Sequence, residues 1–116
     1  MLLYLFLLFS HFIGLTVSGD KISPVGGEVS KREGQSVTLT CNYETSYSSI
    51  ALFWYKHHSD LQAPQFILLK GAKDSTAEYI PNERYGSQTS PTSTTLTIRD
   101  LTLADTALYY CALETQ

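Results

Sequence analysis

The side chains of this 116-residue chain that could ligate a metal or drive catalysis are three histidines, two cysteines and eleven acidic residues. They do not assemble into a reactive set. His11 lies in an apolar leader-like stretch. His57 and His58 are neighbours in a segment with strand character, so their side chains point to opposite faces and cannot share a metal ion. No HExxH, CxxC, GxSxG, Gly-rich phosphate loop or paired acidic motif occurs. The sequence therefore predicts no enzyme, no bound metal and no cofactor. The chemistry that remains is that of the two cysteines, Cys41 and Cys111, seventy positions apart.

The compartment decides what two cysteines do. Residues 1–19, MLLYLFLLFSHFIGLTVSG, carry no Asp, Glu, Lys or Arg, and their apolar run breaks at small residues. This pattern predicts a secretory signal peptide cleaved after Ser18 or Gly19, although no basic residue marks its start. The competing reading, a membrane anchor, needs roughly 20 apolar residues and a basic flank. Behind a secretory leader an isolated cysteine pair reads as a disulfide, against the alternative of two buried thiols. Closing so long a loop stabilises a fold by about 4 kcal/mol in the chain-entropy model. The net charge is −3, with no run of Lys or Arg. A nucleic-acid partner or an anionic membrane surface is not expected.

The elements that position the cysteines are strands. In SVTLTCNYE, Val37, Leu39, Cys41 and Tyr43 alternate with polar residues, a period of two that gives one dry face and one wet face. STTLTIRDL repeats the alternation with Leu96 and Ile98, and ALYYCAL repeats it with Ala107, Tyr109, Cys111 and Leu113. ALFWYKH sets Leu52 and Trp54 on one face and Phe53, Tyr55 and His57 on the other; QFILLK is a further apolar run of strand length. Turn chemistry separates these runs at Gly26-Gly27, Arg32-Glu33-Gly34, Ser59-Asp60, Gly71, Pro81-Asn82 and Tyr85-Gly86. Leu101 to Asp105 is expected to make one helical turn. Many short strands with no helical period predict an all-β antiparallel sandwich or barrel. The cysteines would join two sheets across the core, beside the single tryptophan.

Cys41, Trp54 thirteen positions later, Leu96, and DTALYYC over 105–111 together resemble the framework of an immunoglobulin variable-type domain. Within that class the leader, FWYK, TLTIRDL and YYCAL are most similar to a T-cell receptor alpha or delta variable segment. An antibody light chain shares several of the same features. The resemblance implies a Greek-key sandwich over residues 20–116, with Trp54, Leu96 and Tyr109 as core framework. Tyr109 would be the tyrosine corner, and Arg84 in ERYG would pair with Asp105. It also implies that the second cysteine closes the stretch encoded by the variable gene segment. The last strand, with its Phe-Gly-x-Gly motif, would then come from a joining segment. No such motif occurs here, so the chain resembles the germline-encoded portion, lacking most of strand G. The strand bearing Cys111 is then expected to keep an unpaired edge.

The resemblance also places the working surfaces. Three antigen-contact loops are implied. The first is Thr45, Ser46, Tyr47, Ser48, Ser49 and Ile50, rich in Tyr and Ser. The second is Gly71, Ala72, Lys73, Asp74, Ser75 and Thr76. The third begins with Ala112, Leu113, Glu114, Thr115 and Gln116. A chain-pairing face is implied at Tyr55, His57, Pro64, Phe66 and Tyr110, where outward aromatic residues are unusual for a wet face. The family usually has glutamine where His57 stands, and a histidine there makes pairing sensitive to pH. No Asn-x-Ser/Thr sequon occurs, so no N-linked glycan is expected.

The function implied is antigen recognition by complementarity. The partner would be a T-cell receptor beta or gamma variable domain, and the ligand a peptide on a major histocompatibility molecule or another cell-surface ligand. Signalling subunits would act through constant and transmembrane regions outside this sequence, and the mature chain would sit on the extracellular face of the plasma membrane. The alternatives are a non-rearranging variable-type innate or adhesion receptor, and an antibody light-chain segment.

Overall fold

A computed structural model describes residues 2–7 and 20–115. It contains ten strands: β1 (Leu2–Leu7), β2 (Lys21–Pro24), β3 (Glu28–Arg32), β4 (Val37–Glu44), β5 (Ser49–His57), β6 (Gln65–Lys73), β7 (Glu78–Tyr79), β8 (Tyr85–Thr89), β9 (Ser93–Ile98) and β10 (Ala107–Thr115). One 3-10 turn, Leu103–Asp105, precedes β10. The strands form two sheets, ordered β3-β1-β10-β5-β6-β7 and β2-β4-β9-β8. Of the sandwich and barrel that the strand pattern allows, this is the sandwich, in the variable-type arrangement that the resemblance to an immunoglobulin domain implies.

Alternation explains the layering. Along β4 the odd residues Val37, Leu39, Cys41 and Tyr43 are buried, and along β10 the odd residues Ala107, Tyr109, Cys111 and Leu113 are buried. A strand with one dry face can take only the register that turns that face inward, because a slip of one residue would expose the whole set. Cys41 and Cys111 are joined in a disulfide with their Cα atoms 6.7 Å apart, which ties the two sheets together through the core. Trp54 lies opposite Cys111 in the β5–β10 pair and is fully buried. Its indole N–H donates to Thr94 Oγ1 at 3.4 Å, so the one polar atom of the ring is satisfied inside the core.

The edge of β10 differs from expectation. In the full chain it is not bare, because β1 lies between β3 and β10. Leu2 to Phe6 pair antiparallel with Arg32 to Glu28, and Leu5, Phe6 and Leu7 pair parallel with Ala107, Leu108 and Tyr109. An apolar strand in that slot supplies the backbone donors and acceptors that both neighbours otherwise lack. The rest of the expected signal peptide, residue 1 and residues 8–19 with its cleavage position, lies outside the described residues, as does Gln116.

Two strands run further than their sequence suggests. β6 continues through Gly71 and Ala72 to Lys73, and β5 begins at Ser49, so Ile50 pairs with Ala72 and Ser49 with Lys73. Gly71 reads as a turn residue but is a strand residue with a tight neighbour. A Cβ there would lie 2.7 Å from the Ser75 carbonyl oxygen, where the chain doubles back so that Gly71 N–H donates to Ala77 O at 2.7 Å. Only glycine permits that approach.

Candidate functional site

Three connections meet at one end of the six-stranded sheet. Thr115 of β10 pairs with Ile50 of β5, and Ile50 with Ala72 of β6. The loop before β5, the turn after β6 and the end of β10 therefore leave the sheet side by side. Loops held at their ends by a rigid sheet can vary in sequence without cost to the fold.

Not every residue expected in those loops reaches the surface. Ile50 (0% exposed), Ala72 (4%) and Leu113 (3%) belong to the core. Gly71 is buried as well. As ligand contacts these four are corrected: Ile50, Ala72 and Leu113 face the core from strands that extend into the expected loops, and Gly71, on the opposite phase to Ala72, is covered by Ser75. Ala112, Glu114 and Thr115 also lie in β10 and not in a loop. Of the first loop, Ser46, Tyr47 and Ser48 are exposed, while Thr45 and Ser49 are half-buried. Of the second, Lys73, Asp74 and Thr76 are exposed and Ser75 is half-buried.

The two loops are hydrogen-bonded to each other. Lys73 Nζ donates to Thr45 O at 2.9 Å and to Tyr47 O at 3.1 Å, and Asp74 N–H donates to Ser48 O at 2.8 Å. Within the first loop, Tyr47 N–H donates to Thr45 Oγ1 at 3.2 Å. A shallow cleft of about 450 Å³ runs beside the second loop, between Lys70–Glu78 and Thr89–Pro91. Thr89 Oγ1 donates to Gly71 O at 2.8 Å, and Lys70 Nζ donates to Ser87 O at 3.1 Å.

The outward face of the same sheet carries an aromatic cluster. Phe53 stacks near Tyr55 with ring centroids 6.4 Å apart. Phe66 meets both edge-on at 6.2 and 6.1 Å, and Tyr79 stacks on Phe66 at 5.9 Å. Phe66 and Tyr79 are exposed. Phe53 and Tyr79 extend the expected face; Phe53 was findable from its shared phase with Tyr55, whereas Tyr79 lies on a two-residue strand with no periodicity. Burial, then the Glu114 carboxylate, pushes the Tyr55 hydroxyl above its usual range. On β10, Tyr110 pairs with Tyr55 and reaches His57, its hydroxyl 3.3 Å from Nδ1 and the rings 6.1 Å apart. Pro64 is exposed in the turn ahead of β6.

At the opposite end, Arg84 pairs with Asp105 and Tyr109 donates to Asp105 O at 2.6 Å, the positions the sequence resemblance assigned to the framework. Among the described residues, no group of three or more His, Cys, Asp or Glu side chains could hold a metal ion.

This framework, with its disulfide, tryptophan and tyrosine corner, can be compared with known proteins. Residues 25–116 match the family described as immunoglobulin V-set domain. The chain belongs to the immunoglobulin V-set family. Its relatives include a T-cell receptor alpha chain V region, RL-5, of Oryctolagus cuniculus, 38% identical over 100 residues, covering 83% of this chain and 69% of the relative. T cell receptor alpha variable 18 of Homo sapiens is 34% identical over 100 residues, covering 83% of each. T cell receptor alpha variable 38-2/delta variable 8 of Homo sapiens is 37% identical over 87 residues, 73% of this chain and 72% of the relative. This V-set domain is thus an antigen-receptor variable domain, a binding module and not an enzyme. Its working parts are surfaces.

Proposed function

We propose that this V-set domain is the variable region of a T-cell receptor alpha or delta chain, recognising peptide on a major histocompatibility molecule or another cell-surface ligand. The observation that carries the reading is the row Thr115–Ile50–Ala72, from which all three loops emerge together. Exposed Tyr47, with the hydroxyls of Ser46 and Ser48, gives this end aromatic area and adaptable hydrogen bonds. Affinity would come from a few such anchors, and no turnover is involved.

The aromatic face of Phe53, Tyr55, Phe66, Tyr79 and Tyr110 is the pairing surface for a beta or gamma variable domain. Interface cores are enriched in aromatic residues, and a lone domain gains nothing from exposing Phe66. In the assembled receptor the domain lies outside the cell, attached through constant and transmembrane regions that also engage signalling subunits. Among the described residues no helix is long and apolar enough to cross a membrane.

The deciding experiment is to sequence lymphocyte transcripts that contain this segment, reading onward from Cys111. Residues after Leu113 that differ between clones and run into Phe-Gly-x-Gly support the reading, and the constant region that follows names the chain. A single invariant continuation would replace it with a fixed receptor of the innate or adhesion kind.

A further inference from the structure

We propose that Lys73 is a positioning residue for the first loop and not itself a ligand contact: its ammonium turns back on the first loop, so that the two loops present one preordered surface. The inference rests on the reading that these loops meet the ligand. Lys73 ends β6 with φ at 57°, the left-handed region that L-residues seldom adopt. Such a conformation persists only where its surroundings hold it.

What holds it is the first loop. The carbonyls of Thr45, Tyr47 and Ser48 all accept from the Lys73–Asp74 corner, two from the ammonium and one from the Asp74 amide. An ammonium has three N–H donors. Two are directed at carbonyls of the same domain, and charge-assisted bonds are stronger than neutral ones.

Two consequences follow for recognition. Tyr47, 38% exposed, is flanked by pinned backbone on both sides. Part of the ordering entropy that a flexible loop would lose on binding is therefore already lost, which raises affinity without a new contact. The surface also differs in chemistry from its sequence. An acidic ligand group drawn to Lys73 must compete with Thr45 O and Tyr47 O. The groups directed outward are then the Tyr47 ring, the hydroxyls of Ser46 and Ser48, and the Asp74 carboxylate. That set favours neutral or basic ligand groups over acidic ones.

The test is amide hydrogen exchange on the joined and paired receptor without ligand, comparing wild type with K73M and K73R. In K73M, exchange at Tyr47 should accelerate about tenfold after correction for intrinsic rates, with β4 and β9 unchanged and the melting temperature within about 2 °C. K73R, a second charged donor of similar reach, should restore most of the protection. Unchanged Tyr47 exchange in K73M overturns the proposal, and so does an arginine variant as loose as K73M. A rise spread over β4 and β9 with a fall in melting temperature would assign Lys73 to global stability and likewise overturn it. Because no ligand enters, failure to bind any presented peptide would remove the functional reading and leave this result standing.

Discussion

Arg84 Nη2 lies 2.5 Å from Asp105 Oδ2, joining the residue ahead of β8 to the turn ahead of β10. Asp105 is 1% exposed, and its carboxylate also accepts from Thr102 N–H at 2.8 Å. Arg84 reaches further, donating from Nε to Arg99 O at 3.1 Å. The hydrogen bond to Asp105 holds the guanidinium above its ordinary pKa. A buried ion pair of this kind contributes little net stability beside an apolar replacement, but removing one partner strands the other.

Replacing Arg84 with Ala should therefore destabilise the domain by roughly 2–3 kcal/mol, below the full range for a stranded buried charge because water reaches the arginine side. Lysine at 84 should recover only part of this, since it cannot bond Asp105 and Arg99 together as the planar fork does. Denaturant unfolding of the two variants measures both effects. A loss under about 0.5 kcal/mol in R84A would show that the pair is an ordinary surface contact.

Tyr109 sets the alkaline limit. Burial first, then the Asp105 charge, pushes its hydroxyl well above its ordinary value near 10. The folded state therefore holds this proton more tightly than the unfolded chain. Its contribution is fully present below about pH 10 and is lost progressively as pH rises from there toward the folded value. Y109F should lose about 1–2 kcal/mol at neutral pH, because the bond to Asp105 O disappears. Its stability should then fall less steeply above pH 10, by up to about 1.4 kcal/mol per pH unit. Parallel pH profiles for the two proteins would assign the alkaline transition to Tyr43 or Tyr85, whose hydroxyls burial also raises.

How far the fold was legible follows from these strands. β4, β9 and β10 bury alternate residues on one face, so their phase was visible in the sequence and with it the place of Cys41, Leu96, Tyr109 and Cys111. β2 and β3 were not visible, because KISP and EVSKR each carry too few apolar residues to show a period. The end of β6 was hidden by Gly71, which has turn chemistry but is required by the approach of Ser75. The Lys73 bonds left no pattern at all. Their acceptors are backbone carbonyls, which every residue possesses.

The slot beside β10 carries the third prediction. In the full chain β1 occupies it. A chain without residues 1–19 leaves both β3 and β10 with unpaired backbone groups, which template association. That form should aggregate or melt at least about 5 °C below the same chain extended by a final strand, a shift worth about 1 kcal/mol in a domain this size. A strand following a short loop after β10 must run antiparallel to it, whereas β1 runs parallel, so a joined strand and β1 cannot share the slot. Equal unfolding midpoints for the shortened and extended chains would mean that the slot needs no strand.

Pairing is the last prediction, and it turns on His57. The imidazole and the Tyr110 hydroxyl hydrogen-bond within this domain, leaving one ring nitrogen for a partner. A neutral imidazole offers one donor and one acceptor, so that nitrogen can make one hydrogen bond across a pairing interface. Pairing with a partner variable domain should therefore weaken several-fold in H57A, while H57Q, which also offers a donor and an acceptor, should hold most of the affinity. The two effects can be read from dissociation rates of the assembled pair. Y110F separates the sources of the loss: if the internal bond positions the imidazole, Y110F weakens pairing as well, and if the imidazole acts alone, it does not. Unchanged dissociation rates for H57A would place His57 outside the energetic centre of the pairing face, among the rim contacts that contribute little.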